Sequence, residues 1–404
     1  MGHHPLYSGV MITLEEARER IVTHVEAAGV VELPLAEAKG HILAETVVSD
    51  GFYPSADRST MDGYVIGGDE VPGKFRVIGE IAAGVVSEIR LGKGEAFRIF
   101  TGAMIPPGGG RVVMQEDVKR EGDEISVGTF PENRFIRTKG SEASAGDVVL
   151  EKGMRLGGAE LAVLAQVGMV KPKVFRKPVI RHLATGNELV APDRVPGPGE
   201  IRDTNSILLT GLLDALDLDL TDSRRVADDP DSISEIAEGD WDLLLVSGGA
   251  SVGDYDFGAE VLARLGFTIH FDKVNLRPGK PLTFATRGKQ VAFIIPGNPI
   301  SHFVCFHIAI RLAAERLSGS PGSWSFLPLE VRGGAPLRTD PRDSFWVAKV
   351  SSENGRLHVT PQHWATSGNT FSLAGTNALV RVKPNSTMAG LADTLILGLP
   401  ETQA

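Results

Sequence analysis

The chain is poor in cysteine, in basic charge and in long uncharged runs, and each shortage removes a class of protein. A single cysteine, Cys305, among 404 residues excludes an internal disulfide and any zinc or iron–sulfur site built from thiolates. It lies in the apolar run Phe303-Val304-Cys305-Phe306, where a thiol packs as a small hydrophobe. Lys and Arg number 41 against 51 Asp and Glu, a formal charge of −10, which argues against a generally basic nucleic-acid binder. The long uncharged stretch 291–310 is broken by Pro296-Gly297-Asn298-Pro299 and carries His302 and His307. It reads as strand, loop and helix, not as a membrane span, so a cytoplasmic protein is expected. Met1-Gly2-His3-His4 reads as a non-native leader outside the fold.

What is present in surplus is glycine, 47 residues of 404, against a usual share of ~7%. Hydrophobic residues at 42% and charged residues at 23% describe a core-forming soluble protein. At roughly 100–200 residues per domain, the length predicts two to four domains.

Thr13-Leu14-Glu15-Glu16 is a capping box opening a helix with Leu14, Ala17, Ile21 and Val25 at helical spacing. Residues 158–168 read as a second helix, and the two are expected to form a small helical or linker region over 12–44 and 140–176. Between them, 45–139 alternates short apolar runs with Gly- and Pro-rich turns, a β-rich module. Over 177–322 strands alternate with helices, which predicts a mostly parallel sheet covered on both faces. Residues 323–404 return to short β-like runs, a separate C-terminal β domain. The fold class is therefore multidomain α/β.

Ligands in such sheets bind beyond the carboxyl ends of the strands, and three Gly-bearing loops fall there. Ser247-Gly248-Gly249-Ala250-Ser251-Val252-Gly253-Asp254 follows a buried strand and precedes a helix, a candidate anion loop or simply a tight turn. Lys273, Arg277 and Lys280 stud the Pro/Gly-stiffened loop through Pro281, and Pro296-Gly297-Asn298-Pro299-Ile300-Ser301 opens a helix. Asp228 precedes Pro230 at a helix start, Asp256 precedes another, and Glu188 follows Gly186. Each has a structural reading, yet carboxylates beside anion-binding loops are also what a Mg²⁺–phosphate site requires. Asp62-Gly63 reads on spacing alone as a hairpin turn. No HExxH pair is present, and His302 and His307 read as packing residues.

Taken together, these motifs resemble the MoeA-type molybdopterin molybdenumtransferases, which include the E domain of gephyrin. The resemblance is carried by Ser59 to Tyr64, Thr101 to Pro106, Val112 to Glu116, Thr185 to Leu189, Asp203-Thr204-Asn205, Ser247 to Asp254, Pro278 to Pro281 and Pro296 to Pro299. It spans roughly 12–400 and implies four domains, including a three-layer molybdopterin-binding α/β domain and a C-terminal β-barrel-like domain. It also implies a homodimer whose cleft lies between the α/β domain of one subunit and the β-rich module of the other. The implied reaction takes adenylylated molybdopterin and molybdate, requires Mg²⁺, releases AMP and places molybdenum on the pterin's sulfurs.

By position, the resemblance implies catalytic roles for Asp62, Thr101, Glu188, Asp228 and Asp256, with Asp228 and Asp256 near the metal. It implies substrate contacts from Gly248, Gly249, Ser251, Lys273, Arg277, Lys280, Pro296, Pro299 and Ser301. Glu142 stands where relatives commonly have aspartate, one methylene longer. A partner implied in the same way is the adenylyltransferase that supplies the substrate; nucleic acid and membrane are not. Two other functions share parts of the pattern: a molybdopterin adenylyltransferase-like nucleotide enzyme, and a non-enzymatic gephyrin-like scaffold. The Asp62 module and the 323–404 tail argue against the first, and the intact acidic set argues against the second.

Overall fold

The computed structural model describes residues 10–68, 72–128, 132–227, 234, 237–248, 258–322, 325–335, 337, 340–386, 390–399 and 401–402. The α/β unit is built on one six-stranded sheet, in spatial order Leu220–Val226, Ile180–Thr185, Leu243–Ser247, Gln290–Ile295, Thr283–Arg287 and Thr268–Phe271. The first four strands are parallel; Thr283–Arg287 then pairs antiparallel with Gln290–Ile295 through a hairpin at Gly288-Lys289, and Thr268–Phe271 pairs antiparallel with Thr283–Arg287 at the edge. Leu243–Ser247 lies centrally and every residue in it is buried, the reason its sequence is a continuous apolar run without alternation.

Helices cover both faces. One carries Val261 and Leu262 of the helix Gly258–Arg264, packed with Trp241 and Phe267. On the other lie the helix Asn205–Asp214 and a long helix over 299–317 whose middle, Phe306–Ile310, is wound as a π-turn. The opening helix Leu14–His24 joins this second face. Its capping box is formed: Glu16 N–H donates to Thr13 Oγ1 at 3.2 Å and Thr13 N–H to Glu16 Oε2 at 2.7 Å. Leu14, Ala17, Ile21 and Val25 are buried among sheet and helix residues; burying the Leu, Ile and Val side chains contributes about 1.5–3 kcal/mol each. Arg18 Nη1 adds a 3.1 Å hydrogen bond to the Ile308 carbonyl inside the π-turn.

The expected pairing of the two N-terminal-half helices is thus not how they sit. Gly158–Gln166 packs through Leu164 onto Ala38, Leu43, Val47 and Leu150, a separate core closed by Val30–Glu32 pairing with Lys173–Phe175. An amphipathic stripe records that a helix buries one face, not which neighbour it meets.

The β-rich module is a six-stranded sheet in the order Gly109–Met114, Gly63–Gly67, Glu95–Ile99, Gly73–Ile81, Glu124–Val127, Val118–Glu121, with an apolar cluster on each side. Gly63 is the first residue of a strand, not the corner of a hairpin; a Cβ there would stand 1.9 Å from the Val113 carbonyl oxygen. In the C-terminal region Asp343–Glu353, Arg356–Pro361, Leu327–Val331, Leu391–Ile396 and Ala378–Val382 pair in sequence and close on themselves through Asp343–Glu353 with Ala378–Val382, a five-stranded barrel.

Candidate active site

A cleft of about 990 Å³ opens beyond the carboxyl ends of the parallel strands. Its floor is Thr185, Ser247 and Gly248, and one side is Pro296 to Pro299. Glu188 and Asp203 stand on the other side, while Gly368 to Phe371 of the C-terminal region form an outer wall. That wall is tied to the α/β unit by the Ile300 N–H donating to the Ser367 carbonyl at 3.0 Å. Gly248 has φ +100°, and a Cβ on it would meet Thr185 Oγ1 at 2.5 Å and the Thr185 carbonyl oxygen at 2.7 Å. Only glycine fits between these two strand ends.

The two cleft carboxylates differ. Asp203 is buried and accepts from the Ser206 N–H at 3.1 Å and from the Ser206 hydroxyl, so its oxygens are committed to the start of the helix Asn205–Asp214. The Glu188 carboxylate is exposed and has no hydrogen-bond partner among the described residues. A group free to bind a cation or a substrate proton is what the site offers at Glu188.

Beneath the floor runs a buried polar chain that sequence spacing did not reveal. His182 Nε2 lies 2.6 Å from Ser247 Oγ, and His182 Nδ1 lies 3.1 Å from Ser223 Oγ and 3.4 Å from Ser206 Oγ. Ser206 donates its hydroxyl proton to Asp203, so toward His182 its oxygen can only accept. This places the imidazole proton on Nδ1 and leaves Nε2 to accept from Ser247. His302 Nδ1 is 3.5 Å from the same Ser247 oxygen. Burial depresses His182 to about 4, against a smaller raising effect of Asp203, and depresses His302 to about 3, helped by His182. Both rings are therefore neutral at pH 7. The signal that could have found this chain is the placement of His182 and Ser247 on neighbouring parallel strands, where His182 is in register with Leu245 and Ser247 with Ala184, an adjacency only the sheet order supplies.

Comparison with known proteins decides the family. Three family descriptions match in order: "MoeA N-terminal region (domain I and II)" over 12–168, "Probable molybdopterin binding domain" over 181–316 and "MoeA C-terminal region (domain IV)" over 330–390. A molybdopterin molybdenumtransferase of Nostoc sp. is 35% identical over 386 residues, covering 90% of this chain and 87% of that protein. The chain belongs to the MoeA family of molybdopterin molybdenumtransferases. A Staphylococcus aureus protein of the same name is 31% identical, covering 97% of this chain and 96% of its own. The crystal structure of the molybdopterin biosynthesis MoeA protein from Pyrococcus horikoshii superimposes with a TM-score of 0.81 at 28% identity, over 96% of this chain and 98% of that one.

Within this MoeA-family chain the residues singled out from sequence fall into separate groups. Glu188, Gly248, Pro296 and Pro299 line the cleft. Ser301 is buried in the first turn of the long helix, and Lys280 is half-buried next to the cleft residue Pro281. Lys273 Nζ lies 3.5 Å from Asp272. Arg277 is turned to the C-terminal region, 3.0 Å from Asp340 and with its guanidinium 6.0 Å from the Trp364 ring centre. Gly279 in the same loop has φ +108°, and a Cβ there would meet Cys305 Sγ at 2.7 Å. Burial pushes the Cys305 thiol far up, so it is inert. Asp228, Asp256, Gly249 and Ser251 lie outside the described residues.

Asp62, Thr101 and Glu142 sit apart from this cleft. Asp62 Oδ1 accepts from both the Thr101 N–H and the Thr101 hydroxyl, each at 2.8 Å, because Gly63 pairs with Ile99 across adjacent strands. These two bonds, with a smaller contribution from Arg98, hold the carboxyl below its usual range. Glu142 pairs with Arg137. Among the described residues no His, Cys, Asp and Glu group of three or more is arranged to hold a metal by itself; a Mg²⁺ shared between substrate phosphates and one or two carboxylates does not need one.

Proposed function

We propose that this chain inserts molybdenum from molybdate into adenylylated molybdopterin with release of AMP, in a Mg²⁺-dependent reaction at a cleft completed by a second copy of the chain. The observation that carries the reading is the division of the acidic set. Glu188 lines the α/β cleft, whereas the bonded pair Asp62 and Thr101 sits in the β-rich module, which lends no residue to that cleft among the described residues. A partner subunit brings the second group to the first.

Membership in the family supports the substrate class, and the chemistry of the cleft suits it. Both substrates are anionic, and the cleft offers strand-end backbone, a helix opening at Pro299 and, among the described residues, no buried unpaired carboxylate. Glu188, with Asp228 and Asp256, would hold Mg²⁺ together with the substrate phosphates. When bound, the ion neutralises phosphate charge and favours departure of AMP. The chain's own residues bind and orient. Ser247 and Gly248 shape the floor, Pro296 and Pro299 fix its edge, and Lys273 and Lys280 raise the local positive potential. Asp62, held ionised by Thr101, orients attack from the opposite wall. No protein nucleophile is required, since the pterin sulfurs accept the metal.

Mixing tests the reading. Asp62→Ala and Asp256→Ala each abolish molybdenum insertion into an apo-enzyme when assayed alone. Confirmed heterodimers of the two variants regain activity because one cleft is rebuilt intact. Unchanged turnover in either single variant sinks the residue assignment, and inactive heterodimers sink the shared cleft.

A further inference from the structure

The β-rich module carries a pair of arginines whose charge no described carboxylate balances by direct contact. Arg98 belongs to the strand Glu95–Ile99, three residues before Thr101, and stands directly across from Tyr64 in the register. Arg120 comes from Val118–Glu121, the far strand in the sheet order. Both converge on one oxygen: Arg98 Nη1 donates to the Tyr64 hydroxyl at 3.2 Å, and Arg120 Nη1 donates to it at 3.4 Å. Their other partners are neutral, Gln115 Oε1 for Arg98 at 3.0 Å and the Gly122 carbonyl for Arg120 at 2.8 Å.

Neither guanidinium makes an ion pair with a described carboxylate. Asp62 feels Arg98 through space but keeps Oδ1 on Thr101. The geometry is rigid, because the Arg98 guanidinium lies 5.6 Å from the Tyr64 ring centre and 5.3 Å from that of Phe100. Burial works to raise the Tyr64 phenol, and the Arg120 and Arg98 hydrogen bonds outweigh it, leaving the phenol below its usual pKa. Two like charges fixed around one buried oxygen, with half-buried Arg98 and exposed Arg120 still carrying unused N–H groups, form a fork that a doubly charged anion satisfies.

We infer that Arg98 and Arg120, spaced by Tyr64, form an oxyanion site on the β-rich module beside Asp62 and Thr101, taking a tetrahedral oxyanion of two negative charges. In the proposed reaction, on which this link to turnover rests, two groups have that chemistry: free molybdate and the phosphate of AMP as it is released. A site here holds one of them at the wall opposite the α/β cleft.

Isothermal titration of the intact protein with sodium molybdate, and separately with AMP, distinguishes the sources. Arg120→Gln alters an exposed side chain, and Arg98→Lys keeps the charge in the stacked position. Arg120→Gln is expected to weaken one of the two titrants by about tenfold or more, the scale of one charge-assisted contact, while Arg98→Lys weakens it less. Loss for molybdate assigns the site to the free oxyanion, and loss for AMP assigns it to the AMP phosphate. Equal affinities of wild type and Arg120→Gln for both titrants overturn the site, as does a wild type that binds neither. If wild type inserts molybdenum while Arg120→Gln binds normally, the site falls and the proposed reaction stands. If binding is lost in Arg120→Gln but wild type releases no AMP, the reaction falls and the site stands.

Discussion

The α/β cleft and the Asp62 face of the β-rich module hold their polar groups by opposite means. Under the cleft the groups are buried and engaged with one another: the neutral rings of His182 and His302 serve Ser247, and Asp203 is taken up by Ser206. On the module the groups are charged and nearer to water, fixed by cross-strand bonds and aromatic faces. A buried neutral chain sets backbone position and costs much when protonated or truncated. A charged surface array sets potential and tolerates replacement with less harm to the fold. Shape in the cleft and charge on the module is the division this arrangement supports.

The same substitution made on both sides breaks the comparison most sharply. Gly248→Ala forces a Cβ into Thr185 at an unfavourable φ, and we expect a loss of about 3 kcal/mol or more with collapse of turnover. Gly102→Ala, beside Thr101, has φ +82° but open space around the new carbon, so about 1–2 kcal/mol is expected. Chemical denaturation of the two variants checks the ranking; equal losses would show that the cleft turn is not the tighter of the two.

Acid should distinguish the two regions next. His182, His302 and His307 have folded-state values of about 4, 3 and 3, all below the ordinary 6.5 and each chiefly through burial. The unfolded chain therefore takes up protons first. Their support is complete above about pH 6.5 and is lost as the pH falls toward 4 and then 3, on the order of 2 kcal/mol per ring at pH 5. Melting curves between pH 7 and 5 should show the decline. Asp62, whose carboxyl is lowered, keeps its charge throughout that window, and its Thr101 bonds should persist in spectra of the module.

The smallest effect concerns His307. Both of its ring nitrogens are buried without a partner, and its ring lies edge-on to Phe303 and Phe306. His307→Leu removes two unsatisfied atoms and is expected to be neutral or to stabilise by about 1 kcal/mol at pH 7, while flattening the acid slope. A melting temperature that falls at every pH would contradict this.

Much of the cleft was legible because its residues act through backbone geometry. Gly248 and Pro296 lie at strand ends, and a strand end can be found from an apolar run and the turn residues after it. Cys305 was legible as inert for the same reason, sitting in a continuous apolar helix. Side-chain direction was not. Arg277 reads as a cleft cation but spends its charge on Asp340, 63 positions away, because the C-terminal barrel packs where that loop turns. The opening helix reads as part of a helical layer but docks on the α/β unit, against its long helix over 299–317. Asp62-Gly63 has the composition of a hairpin turn, and close approach of the neighbouring strand accounts for the glycine instead.

By itself the sequence determined the order of the units, the run of parallel strands, the Gly-bearing loops at their ends and the family to which they belong. Those features follow from local periodicity and from residues whose backbone freedom is a property of the residue alone. Only the tertiary structure decided that His182, Ser247 and His302 share one buried chain, and that Arg98 and Arg120 meet at Tyr64. The physical reason is that hydrogen bonds and charge act over a few ångströms, while sheet order and helix docking choose which distant residues come within that reach.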